Sequence, residues 1–158
     1  MVTVIVGFGC VGMMKLMAAG SMANGDATEL TTAMMLANNI REATQTSNNF
    51  SFSDPVTPTN WGRESGEAAN TPAGWDDLDD FDGAVLSPPI DARRKRLSNY
   101  SNWTQSITVQ SMDPNRIWST MGHGSLAPSA RPMSRVTVAI SHAGHQVCTS
   151  KWMVAYAP

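Results

Sequence analysis

Apolar residues dominate the first part of the chain, and their pattern changes once along the way. From Met1 to Met14 there is no charged residue, and Lys15 is the only charge before Asp26. A stretch of about 20 predominantly apolar residues, with a usual range of roughly 17 to 25, is long enough to span a bilayer as a helix. We therefore interpret residues 1–25 as a helix that is apolar on every side and belongs in a membrane or a helical bundle.

The pattern becomes amphipathic after Asp26. Spacings of three and four residues place five apolar side chains on one helical face: Leu30, Ala33, Met34, Ala37 and Ile40. Polar residues fill the other positions, so we predict a helix over 26–47 that packs on the protein's own sheet. Asn24-Gly25-Asp26 is either a break, with Asp26 as N-cap and Glu29 as its capping-box partner, or a soft spot in one continuous helix.

Alternating apolar and polar positions, which are typical of half-buried strands, occur in three later stretches: Trp103–Met112, Ser134–His142 and Gln146–Tyr156. The last two flank Ala143-Gly144, which predicts a tight hairpin turn. Residues 116–132 are irregular in pattern and rich in Gly and Pro. We expect an antiparallel sheet over 103–156.

The region between helix and sheet, residues 48–102, is predicted to consist of loops. Its first part is rich in Asn, Ser, Thr, Pro and Gly, which indicates loop structure. The whole pattern predicts an α+β fold, in which a long N-terminal helix packs on a small antiparallel sheet. Residues 1–25 are the membrane or assembly half of the helix, and residues 26–158 form one soluble domain.

Composition and the absence of known motifs exclude several classes of function. A chain of 158 residues with a net charge of −2 and a pI of about 5.8 is not a general nucleic-acid binder. Its two cysteines, Cys10 and Cys148, have no disulfide or metal spacing. No G-x-S-x-G, H-E-x-x-H or P-loop motif is present. We predict no catalytic residues, no cofactor and no enzymatic activity.

The N-terminal residues resemble a known family. An apolar helix beginning MVTVIVGFGCVG and running into an amphipathic helix that ends LANNIRE is similar to the N-terminal region of type IV pilins and pseudopilins. By this resemblance the family's glutamate would lie two residues before Met1. We therefore interpret the chain as lacking the family's leader and first mature residues. A reading frame upstream of Met1 that encodes a basic leader, glycine, phenylalanine and glutamate would support the resemblance.

The resemblance implies a structural minor pilin or pseudopilin of a type IV pilus or a type II secretion-like assembly. Its partners would be other subunits, and it would lie in the bacterial inner membrane with its C-terminal domain in the periplasm, or in the assembled pilus or pseudopilus. The resemblance assigns the contacts between helices to an assembly set: Val4, Val6, Gly7, Gly9, Val11, Gly12 and Leu16.

The most acidic stretch is WDDLDDFDG, from Trp75 to Gly83, with five carboxylates within seven residues. Such carboxylates repel one another unless a cation or hydrogen-bond donors lie nearby. A calcium site would use four of them, although the closing glutamate of a calcium loop is missing: Asp77, Asp79, Asp80 and Asp82. The other interpretation is a solvated turn anchored by Trp75, Leu78 and Phe81. We expect ion pairing and hydrogen bonds rather than calcium to hold this segment, and the basic run Arg93–Arg96 could fold back over it.

Together with Ser87-Pro88-Pro89, the acidic stretch also resembles an Asp-rich turn of minor pilins of the mannose-sensitive haemagglutinin type.

Two functions other than a pilin subunit stay open. Residues 7–12 match G-x-G-x-x-G, the fingerprint of a nucleotide-binding enzyme, although the second strand that the fingerprint requires is missing from the sequence that follows. The third interpretation is a membrane-anchored calcium or carbohydrate-binding module that uses Asp76–Asp82.

Two histidines, His142 and His145, flank the predicted hairpin turn and are expected to face each other across it. His123 is far away in the sequence. Two histidines supply at most half of the ligands of a typical zinc site. We therefore interpret them as surface residues of the hairpin and predict no metal there.

Overall fold

The computed structural model describes residues 2–45, 61–63, 67–68, 71–75, 78–113, 115–120 and 133–155, with the side chains of the first helix described from Met13 onwards. The chain divides into two compact units, Met1–Thr32 and Ala33–Pro158. The first helix contributes to both units.

One continuous α-helix, α1, runs from Val2 to Gln45. It passes through Asn24-Gly25-Asp26 without a break, so the continuous helix is the correct alternative and Asp26 is not an N-cap. The Thr28 hydroxyl donates to the carbonyl oxygen of Asn24 at 2.8 Å, and the hydroxyls of Thr31 and Thr32 donate in the same way four residues back. These bonds satisfy the polar side chains within the helix itself.

The second part of α1 buries one face, which differs in part from the predicted one. The buried side chains are Ala33, Leu36, Ala37, Ile40, Ala43 and Thr44. The prediction was wrong for Leu30 and Met34, which are 46% and 57% exposed. At 100° per residue, Met34 is rotated by about 200° from the fully buried Leu36, so both cannot face the core.

Five antiparallel strands form one sheet within the described residues: β1 (Val85–Leu86), β2 (Trp103–Asp113), β3 (Arg116–Thr120), β4 (Met133–His142) and β5 (His145–Ala155). The order is β1-β2-β4-β5, and β3 pairs with β2 beside β1. Along β2 and β4 the register is continuous from Trp103 opposite His142 to Met112 opposite Met133. The predicted α+β class, a long helix with a small antiparallel sheet, is therefore confirmed.

The three long strands agree with the predicted ones to within a residue at the ends that the structure describes. The prediction missed β1, which lies in the supposed loop region, and β3, which lies in the stretch expected to be irregular. β1 is only two residues long, and β3 follows a register shift between Met112 and Asp113. The hairpin turn has Ala143 at φ 48° and Gly144 at φ 84°, which is the geometry of a tight two-residue turn.

The core lies between the buried face of α1 and one face of the sheet. Val109, Val136 and Ile140 point into it from alternate positions of β2 and β4, and Trp152 closes it from β5. Short 3₁₀ helices at Pro72–Gly74, Asp79–Phe81 and Ser98–Tyr100 connect the elements around this core.

A buried amide joins three of these elements. Gln105 on β2 is fully buried, and its Nε2 donates to the carbonyl oxygens of Leu36 at 2.9 Å and Ile90 at 3.1 Å. Its Oε1 accepts from the backbone N–H of Ile90 at 2.8 Å. The side chain therefore connects β2 to α1 and to the segment around Ile90. Both its amide nitrogen and its amide oxygen form hydrogen bonds inside the core.

Candidate functional site

The first candidate site is the exposed apolar part of α1, residues 13–22, which we call the assembly segment. Lys15 is its only charged residue. The five largest apolar side chains within it are between 70% and 78% exposed: Met13, Met14, Leu16, Met17 and Met22. Residues 13, 14, 16 and 17 point in different directions at 100° per residue, so the segment is apolar on more than one side. Exposed apolar surface of this kind is a candidate site for contact with protein or lipid.

Of the predicted assembly set, only Leu16 has a described side chain, and it is 74% exposed. The others, Val4, Val6, Gly7, Gly9, Val11 and Gly12, lie outside the described side chains, although all are within the helical range of α1. Within the described part of the chain, no helix combines the length and the apolar character that crossing a membrane requires.

The G-x-G-x-x-G match, residues 7–12, lies inside α1. The nucleotide-binding fingerprint requires a strand before the glycines and a turn at them, so that the pyrophosphate meets a helix N-terminus. Here the residues before and after the glycines are helical, and all strand pairs among the described residues are antiparallel. The match therefore lacks the strand and the turn that a nucleotide-binding site of this type requires.

The second candidate site is the acidic turn, residues 75–83. Its predicted anchors Trp75, Leu78 and Phe81 are all buried, and the rings of Trp75 and Phe81 meet edge to face with centroids 5.0 Å apart. The interpretation as a solvated turn was wrong for Asp79 and Asp80, which are only 2% and 0% exposed. A buried carboxylate needs hydrogen-bond donors or an opposite charge.

Donors for this turn come from residues 61–63 and from β2. Both carboxylate oxygens of Asp82 are engaged, since Oδ1 accepts from the backbone N–H of Val109 at 2.8 Å and Oδ2 from Trp61 Nε1 at 3.0 Å. Asp79 Oδ2 accepts from the backbone N–H of Gly62 at 2.9 Å. No local pattern in the sequence indicates these partners, which lie 17 to 27 residues away from the carboxylates.

Arg63 adds a cation to the same site. One of its guanidinium nitrogens donates to the backbone carbonyl of Asp80 at 2.9 Å, and the guanidinium carbon lies 5.3 Å from the ring centroid of Trp75. That distance allows a cation–π interaction. A positive charge is thereby held at the backbone of the acidic turn and over the ring of Trp75.

The basic run, Arg93–Arg96, is organised around Asp91. One carboxylate oxygen of Asp91 accepts from the backbone N–H groups of Arg93 and Lys95 at 2.9 and 2.8 Å. A guanidinium nitrogen of Arg96 donates to the carbonyl of Pro88 at 3.1 Å. The run therefore forms a closed turn of its own, and its folding over the acidic turn stays a prediction.

The predicted calcium ligands do not form a set in the described part of the chain. No group of three or more His, Cys, Asp or Glu residues there could hold a metal ion, and Asp77 lies outside the described residues together with Asp76. Asp82 already uses both oxygens for protein donors. What this arrangement does is join residues 61–63, the acidic turn and β2.

The hairpin histidines are directly opposite each other, as predicted: His142 pairs with His145 in the register of β4 and β5. The ring of His142 stacks on Trp103 at 4.4 Å between centroids, which gives it a packing role; His123 lies outside the described residues. Burial raises the pKa of the Cys148 thiol above its usual value, so this cysteine stays protonated near neutral pH and is a weak nucleophile.

Comparisons of the chain with protein-family models, with curated proteins and with solved structures found no match. The function is therefore argued from the chain's own residues. Two features support that argument. One is an apolar helical segment that is exposed on more than one side, and the other is a domain in which Asp79 and Asp82 accept hydrogen bonds from the protein itself.

Proposed function

We propose that the protein is a structural, non-enzymatic subunit of a pilin-like assembly, a minor pilin or pseudopilin. The N-terminal part of α1 holds it in the bacterial inner membrane and then packs against the helices of neighbouring subunits. The domain that follows lies in the periplasm or on the surface of the assembled pilus or pseudopilus. The observation that carries the proposal is the exposure of the assembly segment on a helix whose next turns are packed in a domain core.

Helices that leave lipid for a bundle gain little from hydrophobicity, because lipid tails are as apolar as their side chains. Close approach of small residues then becomes the main source of attraction. Ala18, Ala19 and Gly20 lie next to the exposed methionines in the sequence. A Cβ added at Gly20 would meet no atom within 4 Å, so packing inside the chain does not require a glycine there. A neighbouring helix would.

Methionine suits a surface that must fit two environments in turn. Its unbranched, flexible side chain fills irregular apolar gaps and tolerates changes of partner. Four of the five large exposed apolar side chains of the assembly segment are methionines. By contrast, the core face of the same helix uses leucine, isoleucine and alanine. This difference in composition supports the proposal that the assembly segment exchanges lipid for other subunits, while the core face of α1 stays packed on its own sheet.

The proposal is tested by one substitution placed at two positions of α1. Met17 is 78% exposed within the assembly segment, and Met34 is 57% exposed beside the packed face. We expect Met17→Glu to move the full chain from the membrane fraction to the soluble fraction on flotation, and to remove cross-linked oligomers. The charge is costly in an apolar environment, whether lipid or a helical bundle.

Met34→Glu is the matched control, because it introduces the same charge at an exposed position of the same helix. We expect this variant to keep both membrane partition and the cross-linked ladder. Equal behaviour of the two variants, or a wild-type chain that is soluble and monomeric without detergent, would show that the segment does not serve assembly.

A further inference from the structure

Three buried polar atoms share the core face of the sheet: the hydroxyl oxygens of Ser111 and Ser134 and the indole nitrogen of Trp152. None of them has a hydrogen-bond partner among the residues that the structure describes. Ser111 and Ser134 are 0% and 1% exposed, and Trp152 is 9% exposed. Native proteins leave few buried polar atoms unsatisfied, so three on one face call for a common explanation.

The register of the sheet places Ser134, on the central strand β4, next to each of the other two residues. Ser111 on β2 is directly opposite Ser134 on β4. Ser134 is in turn opposite Val154 on β5, two residues from Trp152. Directly opposite residues have Cβ atoms about 4.5–5.5 Å apart, and diagonal neighbours lie about 7–8 Å apart.

The donors and acceptors of the three groups define what fits. Trp152 Nε1 can only donate, whereas each serine hydroxyl can both donate and accept. A guest must therefore accept at least one hydrogen bond and be free to donate another. A buried water has this capacity and typically makes about three hydrogen bonds to polar groups that have no other partner.

We propose that Ser111, Ser134 and Trp152 form a binding site for one buried water molecule. The water accepts from Trp152 Nε1–H and from one serine hydroxyl, and it donates to the other hydroxyl. It thereby links β2, β4 and β5 on the core face. The site is independent of the assembly segment and of the acidic turn, so it does not rest on the proposed function.

The direct test uses the full chain in detergent and needs no variant. We expect a nuclear Overhauser effect between the Trp152 indole N–H and a water that stays bound for longer than about a nanosecond, together with crystallographic density for one water between the three atoms. A direct chain of hydrogen bonds from Trp152 through Ser134 to Ser111 without water would overturn the proposal, as would density for a larger group.

Alanine substitutions give a second readout through the unfolding equilibrium. If the water is bound, Ser111→Ala and Ser134→Ala each raise the unfolding constant about fivefold to tenfold, and the double variant raises it by less than the product, because both lose the same water. If the hydroxyls have no partner, removing either lowers the unfolding constant instead. Ser106→Ala, at a half-exposed position of β2, is the control and should change it less than about twofold.

Discussion

The two stretches of α1 on either side of Thr32 share one backbone conformation but differ in their surroundings. From Met13 to Thr28 every side chain is exposed, whereas from Ala33 to Thr44 a full face is buried. Helices in proteins owe most of their stability to the packing of an apolar face rather than to intrinsic propensity. The comparison therefore indicates that the second stretch is stabilised within its own domain, whereas the first has no such face; on the proposed function it is covered by lipid or by another chain.

The largest expected effect comes from removing the first stretch. Deleting Met1–Gly25 should convert a chain that partitions with membranes into a soluble, folded domain, because the exposed apolar surface is lost and the buried face of α1 is kept. Gel filtration, circular dichroism and a cooperative thermal transition measure the outcome. Aggregation-free behaviour of the full chain without detergent, or an unfolded deletion variant, would break the comparison between the two stretches.

The next effect compares two leucines of the same helix. Leu36 is fully buried and Leu16 is 74% exposed. Leu36→Ala should lower the free energy of unfolding by about 2–5 kcal/mol, since it leaves a cavity in the core. Leu16→Ala should change it by less than about 0.5 kcal/mol, as surface substitutions usually do. Denaturant titration in detergent measures both free energies. Similar losses in the two variants would contradict the division of α1 into an exposed first stretch and a packed second stretch.

Gln105 on β2 tests how firmly the packed stretch of α1 is held to the sheet, because its amide bonds the carbonyl oxygen of Leu36 in that stretch. Gln105→Leu removes three hydrogen bonds and leaves the backbone N–H of Ile90 buried without its acceptor. We expect a loss of about 1–3 kcal/mol in the free energy of unfolding. Gln146→Leu, at an exposed position of β5, should cost less than about 0.5 kcal/mol, and an equal loss there would remove the special role of Gln105.

A smaller effect is expected at the acidic turn. In Asp82→Asn the amide oxygen can accept from Val109 or from Trp61 but not from both. The variant should lose about 1 kcal/mol in the free energy of unfolding. Asp26→Asn, exposed on α1, serves as the control. If the two variants are equally stable, the carboxylate of Asp82 does not hold the turn to β2.

The smallest expected effect is that of calcium. Chelator and millimolar calcium should leave the thermal midpoint of the full chain in detergent unchanged, because protein donors already bond both carboxylate oxygens of Asp82 and Oδ2 of Asp79. A bound cation at a hundredfold excess over its dissociation constant would stabilise the fold by roughly 2.7 kcal/mol. A rise of several degrees that disappears in Asp80→Asn would identify a calcium site.

Local pattern was sufficient for the long elements of this fold. Alternation within β2, β4 and β5 located the sheet, because each strand has one face in the core and one outside. The helix was located equally well, but its buried face was partly misassigned at Leu30 and Met34. Both are as apolar as Leu36, and only the position of the sheet decides which of them is covered.

The candidate site was harder to predict, because its parts come from distant segments. Trp75, Leu78 and Phe81 could be predicted as anchors, because they are the large apolar residues of an otherwise acidic stretch. The donors at Trp61, Gly62 and Val109 did not, because a backbone N–H carries no side-chain signal in the sequence. Likewise, Ser111 and Ser134 have ordinary strand positions, and their opposition appears only once the register of β2 and β4 is known.

The bond between Asp82 and Val109 has a consequence for how the sheet can grow. Along this edge of β2, Ala84 accepts from the N–H of Ile107 at 2.8 Å through its backbone carbonyl, and then Asp82 accepts from Val109 through its side chain. A free N–H on a strand edge is a template for an incoming strand of another molecule. A carboxylate occupies that N–H but offers no donor in return, so the pairing that begins with β1 stops at Val109, and β3 pairs with β2 again from Met112. Asp82 thereby covers a backbone N–H of β2 between its pairings with β1 and β3, and leaves less of this edge for strand addition between molecules.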